Sequence, residues 1–183
     1  MPWNAEHKSQ SRDRILSSAA QLFSHHGFDA VSIDDVMAHA GLTRGAFYAH
    51  FKSKSDMYHQ SMVAGALLSR DRICHDNPAK ASDLAERYLE IGRHERADRY
   101  CPLAFLVTDI GHREPKVKTT YTHILTRYQA MLVGLGLSEE NAIKASVMLI
   151  GGLALSRAVV DDELKNKILD ACFEQVKDLE NEA

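Results

Sequence analysis

Hydrophobic side chains recur three and four residues apart along most of the chain, and no stretch alternates long enough to predict a strand. Ile15, Leu16, Ala19, Leu22 and Phe23 mark a first helix from about Ser11 to His26, with Gly27 placed to end it and Phe28 to tuck beneath. A second start follows in Val31-Ser32-Ile33-Asp34-Asp35-Val36. Ser32 is a cap, Asp35 stands at the reciprocal third position, and Val31 and Val36 form a hydrophobic staple. This helix passes Met37, Ala38 and Ala40 and stops at Gly41, the residue that best tolerates a left-handed ending. After Leu42, Thr43 caps a third helix that carries Phe47 and Phe51 on one face. Ser53 and Asp56 then open a long fourth helix through Tyr58, Met62, Leu67 and Leu68, ending before Asn77-Pro78.

The same periodicity predicts a fifth helix over about Ser82 to Glu95, a sixth from Pro102 to near Gly111, and a seventh from Pro115. The seventh carries the stripe Val117, Tyr121, Ile124, Leu125, Tyr128, Leu132, broken by Gly134 and Gly136. Ser138 caps an eighth helix, and a ninth starts near Asp161 or Asp162. The expected architecture is all-α, with about nine helices and no internal repeat. From Ala145 to Val159 the eighth helix is apolar nearly all round and needs burial on two sides. Gly151, Gly152, Leu155 and Ala158 would admit a second helix, and Ile168, Cys172, Phe173 and Val176 of the ninth offer a complementary stripe. Together they predict a four-helix interface between two copies, the alternative being a central helix of a monomer.

Two helices joined by a glycine-containing turn make a helix-turn-helix, whose second helix enters the DNA major groove while the first crosses the backbone. The face that Phe47 and Phe51 leave free carries Thr43, Arg44, Tyr48, His50 and Lys52, with Gly45 allowing close approach and Lys54 just beyond. Arg44 suits bidentate readout of guanine; Tyr48, His50, Lys52 and Lys54 suit phosphates, and Ser32 joins them from the start of the preceding helix. His50 is equally suited to packing beside Phe51. Arg12 and Arg14, in the first helix, are further phosphate candidates.

The run Ala40-Gly41-Leu42-Thr43-Arg44-Gly45 followed by Phe47-Tyr48-Ala49-His50-Phe51-Lys52-Ser53-Lys54 resembles the signature of the TetR family of transcriptional regulators. The resemblance covers residues 11 to 57, with Met57 where the family often has Leu, a swap that conserves volume. It implies a three-helix DNA-binding domain over residues 1–53 and a helical effector-binding and dimerisation domain over residues 54–183. It also implies a homodimer on a near-palindromic double-stranded DNA operator, acting as a repressor and released by a small apolar effector. The fourth helix would carry the signal between the domains.

Charge narrows this picture. The formal net charge is -3, and residues 1–60 hold six Lys or Arg against six Asp or Glu, so specific binding must rely on placed cations and on pairing of two heads. Three scattered cysteines, Cys74, Cys101 and Cys172, without a CxxC pair fit a reducing cytoplasm rather than a disulfide framework or zinc site. No leader opens the chain, and its longest apolar run, Val147 to Leu155, falls far short of the ~20 residues a membrane helix needs.

An effector pocket is expected from Tyr88, Cys101, Phe105, Thr108, Tyr121, Leu125 and Tyr128, although aromatics at helical spacing also serve as plain core. Cys101 precedes Pro102 at a helix start and follows Arg99, a setting that favours a thiolate and hence an alternative redox or electrophile switch. His94, Glu95, Asp98, His112 and His123 are the raw material for a metal site, but these histidines form no close i, i+4 pair, and neither metal nor cofactor is expected. A thiol-dependent enzyme using Cys101 with His94 or His112, or a purely scaffolding protein, is the reading from another class. No phosphate-binding glycine loop, HExxH or nucleophile elbow supports an enzyme.

Overall fold

Each helix boundary in the N-terminal third rests on a side chain placed to make it. In the computed structural model, which describes residues 5–94 and 100–182, α1 (Ala5–Ala30) is interrupted at Gly27, whose φ of 78° breaks the helical path and turns Phe28 under Phe23 and Tyr58. It starts a turn and a half earlier than the apolar stripe alone predicts. α2 (Ile33–His39) opens with the expected capping box. The Asp35 N–H donates to Ser32 Oγ at 3.1 Å, and the Ser32 N–H to the Asp35 carboxylate at 2.8 Å. It closes at Gly41, φ 64°, where Gly41 N–H reaches the Ala38 carbonyl and Leu42 N–H the Met37 carbonyl, a Schellman ending. α3 (Arg44–Tyr48) follows, with Thr43 at its N-cap position; its hydroxyl makes no capping bond, so the expected cap is positional only.

α4 (Lys54–Ile73) starts on Ser53, whose Oγ accepts the Asp56 N–H at 3.0 Å. α5 (Ala81–Arg93), α6 (Pro102–Phe105), α7 (Val107–Ile110), α8 (Pro115–Gly134), α9 (Glu139–Ala158) and α10 (Asp162–Asn181) complete ten helices among the described residues, one more than the sequence pattern predicts. The difference is the sixth predicted helix, which splits at Leu106 (φ -109°, ψ 0°). The reason is packing. Leu103 and Ala104 face one apolar core while Leu106 and Ile110 face another, and a single straight helix could not serve both.

Those two cores define a head and a body. The head core gathers Ile15, Phe23, Val36, Phe47 and Phe51 with Met57, Tyr58 and Met62 of α4, and receives Leu106, Ile110 and Val117 from α7 and α8. The body core is built by α5, α8, α9 and α10 around Leu84, Tyr88, Leu132, Leu149, Leu153 and Leu169, all buried. α9 packs α10 so closely that a Cβ on Gly152 would collide with the Cys172 sulfur.

A polar seam joins head to body. Tyr58 donates to the Asp109 carboxylate; Arg113 bonds Asp29 at 2.6 Å and Asp109 at 2.7 Å; Ser55 donates to Glu114. Phe28 lies between two cations, with Lys54 Nζ 4.3 Å and the Arg113 guanidinium 4.6 Å from its ring centre. Farther along, Arg157 of α9 stacks 4.0 Å over Phe105 and donates to the Ser24 carbonyl at 2.9 Å.

Candidate nucleic-acid interface and effector cavity

The capping box of α2 and the Schellman turn set the angle at which α3 leaves the head, and α3 locks into it through Phe47, fully buried, and Phe51 just beyond its end. The opposite side is open. Thr43, Arg44, Gly45 and Lys52 are exposed, and Tyr48 is 63% exposed despite its aromatic ring. A Cβ on Gly45 would meet only the Thr43 hydroxyl, at 3.9 Å, so nothing on this chain covers that backbone. Ser32 is exposed at the edge of the same surface.

Arg44 is held rather than free. Its guanidinium bonds Asp34 of α2 at 2.5 Å, and its pKa is raised by a hydrogen bond to Tyr48, one turn on, and then by Asp34. Both members of the ion pair remain 58% exposed, so the contact is weak and can be exchanged for a base edge.

His50 and Lys54 stand apart from this exposed group. His50 is half-buried, its Nε2 lacks a hydrogen-bond partner, and burial, then Lys8 and Arg12, push its pKa below the ordinary 6.5. A neutral ring beside Phe51, 6.1 Å between centres, is a packing group more than a phosphate anchor. Lys54 caps the Phe28 ring, and burial lowers its pKa, so it belongs to the seam at least as much as to the open face. Arg12 and Arg14 also have partners on the head: half-buried Arg12 bonds Gln60, and exposed Arg14 donates to the Ala40 carbonyl at 2.5 Å, bracing the turn before α3.

The body contains a cavity of about 270 Å³ between α4, α5, α6 and α8. Three of the seven residues expected there line it, namely Tyr88, Cys101 and Tyr128. The other four lie elsewhere. Phe105 is under Arg157, Tyr121 donates its hydroxyl to the Leu103 carbonyl at 2.7 Å, Thr108 is exposed, and Leu125 packs on the body core. Sequence reasoning missed the α4 wall, where Val63, Leu67, Ser69, Arg70 and Ile73 supply much of the lining, and Arg127 of α8. A signal was present: α4 leaves Val63 and Leu67 over 40% exposed, apolar residues off the buried face of the helix.

Cys101 does not have the setting that would favour a thiolate. It is fully buried and its thiol is pushed up by burial, only partly opposed by hydrogen bonds from Tyr88 and from the Ala104 and Leu103 N–H groups. Tyr88 Oη lies 3.2 Å from the sulfur. Desolvation outweighs the helix-start donors because no cation reaches the thiol among the described residues; Arg99, Glu95 and Asp98 lie outside them. Among those residues no three His, Cys, Asp or Glu converge to hold a metal, and no helix is long and apolar enough to cross a membrane.

The predicted interface residues also divide. Gly152 and Val176 are buried inside one chain, Cys172 sits against Gly152, and Ile168 and Phe173 are partly buried. Leu155 and Ala158 are exposed, and Gly151 has open space where a Cβ would stand. The sequence did not single out Ile143 and Val147, which extend this outer face of α9 at 52% and 66% exposure.

Residues 15–60 match the model of the bacterial regulatory proteins of the tetR family. That stretch contains α2, α3 and both turns that orient them. Those residues carry the DNA-binding segment of the TetR family of transcriptional regulators. The chain is 45% identical over 49 residues to the HTH-type transcriptional regulator AcrR of Shigella flexneri, and 34% identical over 77 residues to the HTH-type transcriptional repressor BepR of Brucella suis. These matches span 27% and 38% of this chain, and only 23% and 36% of those relatives. The likeness of fold extends much farther. A TetR-family regulator from Agrobacterium tumefaciens superposes with a TM-score of 0.75 over 92% of this chain and 98% of its own, at 18% identity. The relatives this chain matches are named as a regulator and a repressor, which favours a regulator over the thiol-dependent enzyme.

Proposed function

We propose that this protein is a TetR-family regulator that binds a near-palindromic operator in double-stranded DNA as a cytoplasmic homodimer, represses transcription there, and is released when a small molecule fills the body cavity. The observation that carries the reading is the two-sided α3: Phe47 and Phe51 buried, and Thr43, Arg44, Gly45, Tyr48 and Lys52 together on an uncovered face. Such a face, on the second helix of a helix-turn-helix, fits the major groove. Arg44 reads a guanine edge once Asp34 lets it go, and Tyr48, Lys52, Ser32 and Thr43 contact phosphates. Lys54 and His50 orient the face from behind it.

A neutral head needs a second head. The apolar outer face of α9, with Ile143, Val147, Gly151, Leu155 and Ala158, favours pairing of two chains, with α10 at its flank. The signal route proposed is α4, which lines the cavity with its C-terminal half and enters the seam with its first residues. A ligand that prefers one tilt of α4 changes the spacing of the two heads, and about 1–3 kcal/mol of differential affinity is typical of such coupling.

Fluorescence anisotropy on DNA flanking the gene tests this. Arg44→Ala should lose about 1–3 kcal/mol of preference for the operator over scrambled DNA, whereas Lys52→Ala should weaken both alike and lower the salt slope by about one. Inserting about half a helical turn, ~5 base pairs, between half-sites should abolish tight binding. Unchanged selectivity in Arg44→Ala, or indifference to the insertion, would sink the reading.

A further inference from the structure

The cavity has a floor and a mouth of different chemistry. Tyr88, Ser69, Cys101 and Tyr128 on the floor are buried, whereas Arg70 and Arg127 at the mouth are exposed. Three of the polar groups are unanswered, the buried Ser69 hydroxyl among them. The Tyr128 hydroxyl is shut away from solvent without a hydrogen-bond partner, which a phenol in a finished core rarely is. Arg127 makes no ion pair or hydrogen bond among the described residues, and Arg70 is answered only by its neighbour Asp71, at 2.6 Å. Among the described residues no carboxylate lines the cavity.

We infer that the cavity is built for an anion with an apolar body, an aryl or medium-chain carboxylate whose charged end lies between Arg127 and Arg70 and whose body lies among Val63, Leu67, Leu103 and Ile124. This rests on reading the cavity as the effector site. Size sets the body: about 270 Å³ is nearly twice the ~150 Å³ that holds a benzene, enough for a ring with a short chain or a tail of about eight carbons. Charge sets the head. A cationic ligand would meet two guanidinium groups and no carboxylate among the described lining residues, while a carboxylate gains charge-assisted hydrogen bonds, bidentate where the fork fits. At the mouth the carboxylate keeps part of its hydration, so pairing does not have to offset full burial of the charge.

Isothermal titration of the full chain with two matched series decides it: octanoate, octanamide and octylammonium, and 4-propylbenzoate with its amide and benzylammonium counterparts. At least one carboxylate should bind one per chain and about tenfold or more tighter than its own amide, with no binding by either ammonium ion. Arg127→Gln should bring the carboxylate down to its amide while circular dichroism stays unchanged. Tighter binding of an amide or ammonium ion, no binding by either carboxylate, or a carboxylate preference that survives in the Arg70→Gln/Arg127→Gln double variant would overturn the inference. The operator titration separates the two readings. A carboxylate that binds with the expected preference yet leaves operator affinity untouched upholds the ligand class and sinks the effector role; an ammonium ion that binds and releases the operator does the reverse.

Discussion

In the head, nearly every boundary carries its own instruction: Ser32 with Asp35, Gly41 with the Schellman bonds, Ser53 with Asp56. In the body, α9 and α10 start on a side-chain cap, from Ser138 and Asp161, and α5 on the Asp83 carboxylate, which accepts the Ala79 and Lys80 N–H groups, while α6, α7 and α8 begin without one. The head is thus fixed by local hydrogen bonds that specify the angle of a five-residue helix. The body is fixed by long helices meeting apolar face to apolar face, a looser rule that leaves room for a cavity. A surface that must match base edges needs the first kind of construction, and a container that must admit a ligand tolerates the second.

The widest gap between the two regions should appear in core truncations. Phe47→Ala removes the anchor of α3 and should cost about 3–5 kcal/mol and abolish operator binding. Leu132→Ala, equally buried but in the body, should cost about 2–5 kcal/mol and leave DNA affinity per folded molecule unchanged. Urea unfolding combined with DNA titration checks both, and equal losses of DNA affinity would erase the contrast. Next comes the seam. Arg113→Ala cuts the ties to Asp29 and Asp109, and the ratio of operator Kd with and without a bound carboxylate should fall toward one. A ratio unaltered in that variant would mean that the signal crosses elsewhere, with Arg157 and its contact to Ser24 the next suspect.

Smaller effects sharpen the local argument. Ser32→Ala should cost about 1 kcal/mol, and Asp35, whose pKa that box lowers, loses its contribution as pH falls through the carboxylate range. Thr43→Ala, at a cap position with no capping bond, should change thermal stability much less than Ser32→Ala. The smallest effect is the pH slope of His50. Its folded pKa lies below 6.5, so the unfolded chain takes up the proton first, and stability falls as pH drops through 6.5. His50→Gln should flatten that part of the curve relative to the unaltered chain, measured by denaturant midpoints at pH 7.5 and 5.5.

The head could be read from sequence because its signals are close together: a cap and its reciprocal acid three residues apart, and two phenylalanines four apart. What escaped there were long-range choices. Arg14 and Arg12 look like phosphate ligands until Ala40 and Gln60 are seen beside them, and Lys54 until Phe28 is found under its ammonium group. In the body the helices could be read, but the direction of each face could not. Tyr121 and Tyr128 share one stripe, yet Tyr121 finds the Leu103 carbonyl and Tyr128 finds nothing. Gly152 was as suited to a neighbouring chain as to α10, and only the position of Cys172 decides between them. The split at Leu106 was invisible because Leu103 and Ile110 are equally apolar; they serve different cores.

The bond from Tyr58 to Asp109 pins α4 near one end. At 1.5 Å per residue, Ile73 at the cavity lies about 22 Å from that pin and Lys54 only about 6 Å on the other side. A rod pinned so far off centre works as a reducing gear. A sideways shift at the cavity end reaches the head smaller by a factor of about three to four, and with force multiplied in the same proportion. Under the proposed mechanism a small, weakly gripping molecule would drive a short and stiff displacement of the reading surface, the kind of motion that misaligns a tightly packed head on DNA without unfolding it.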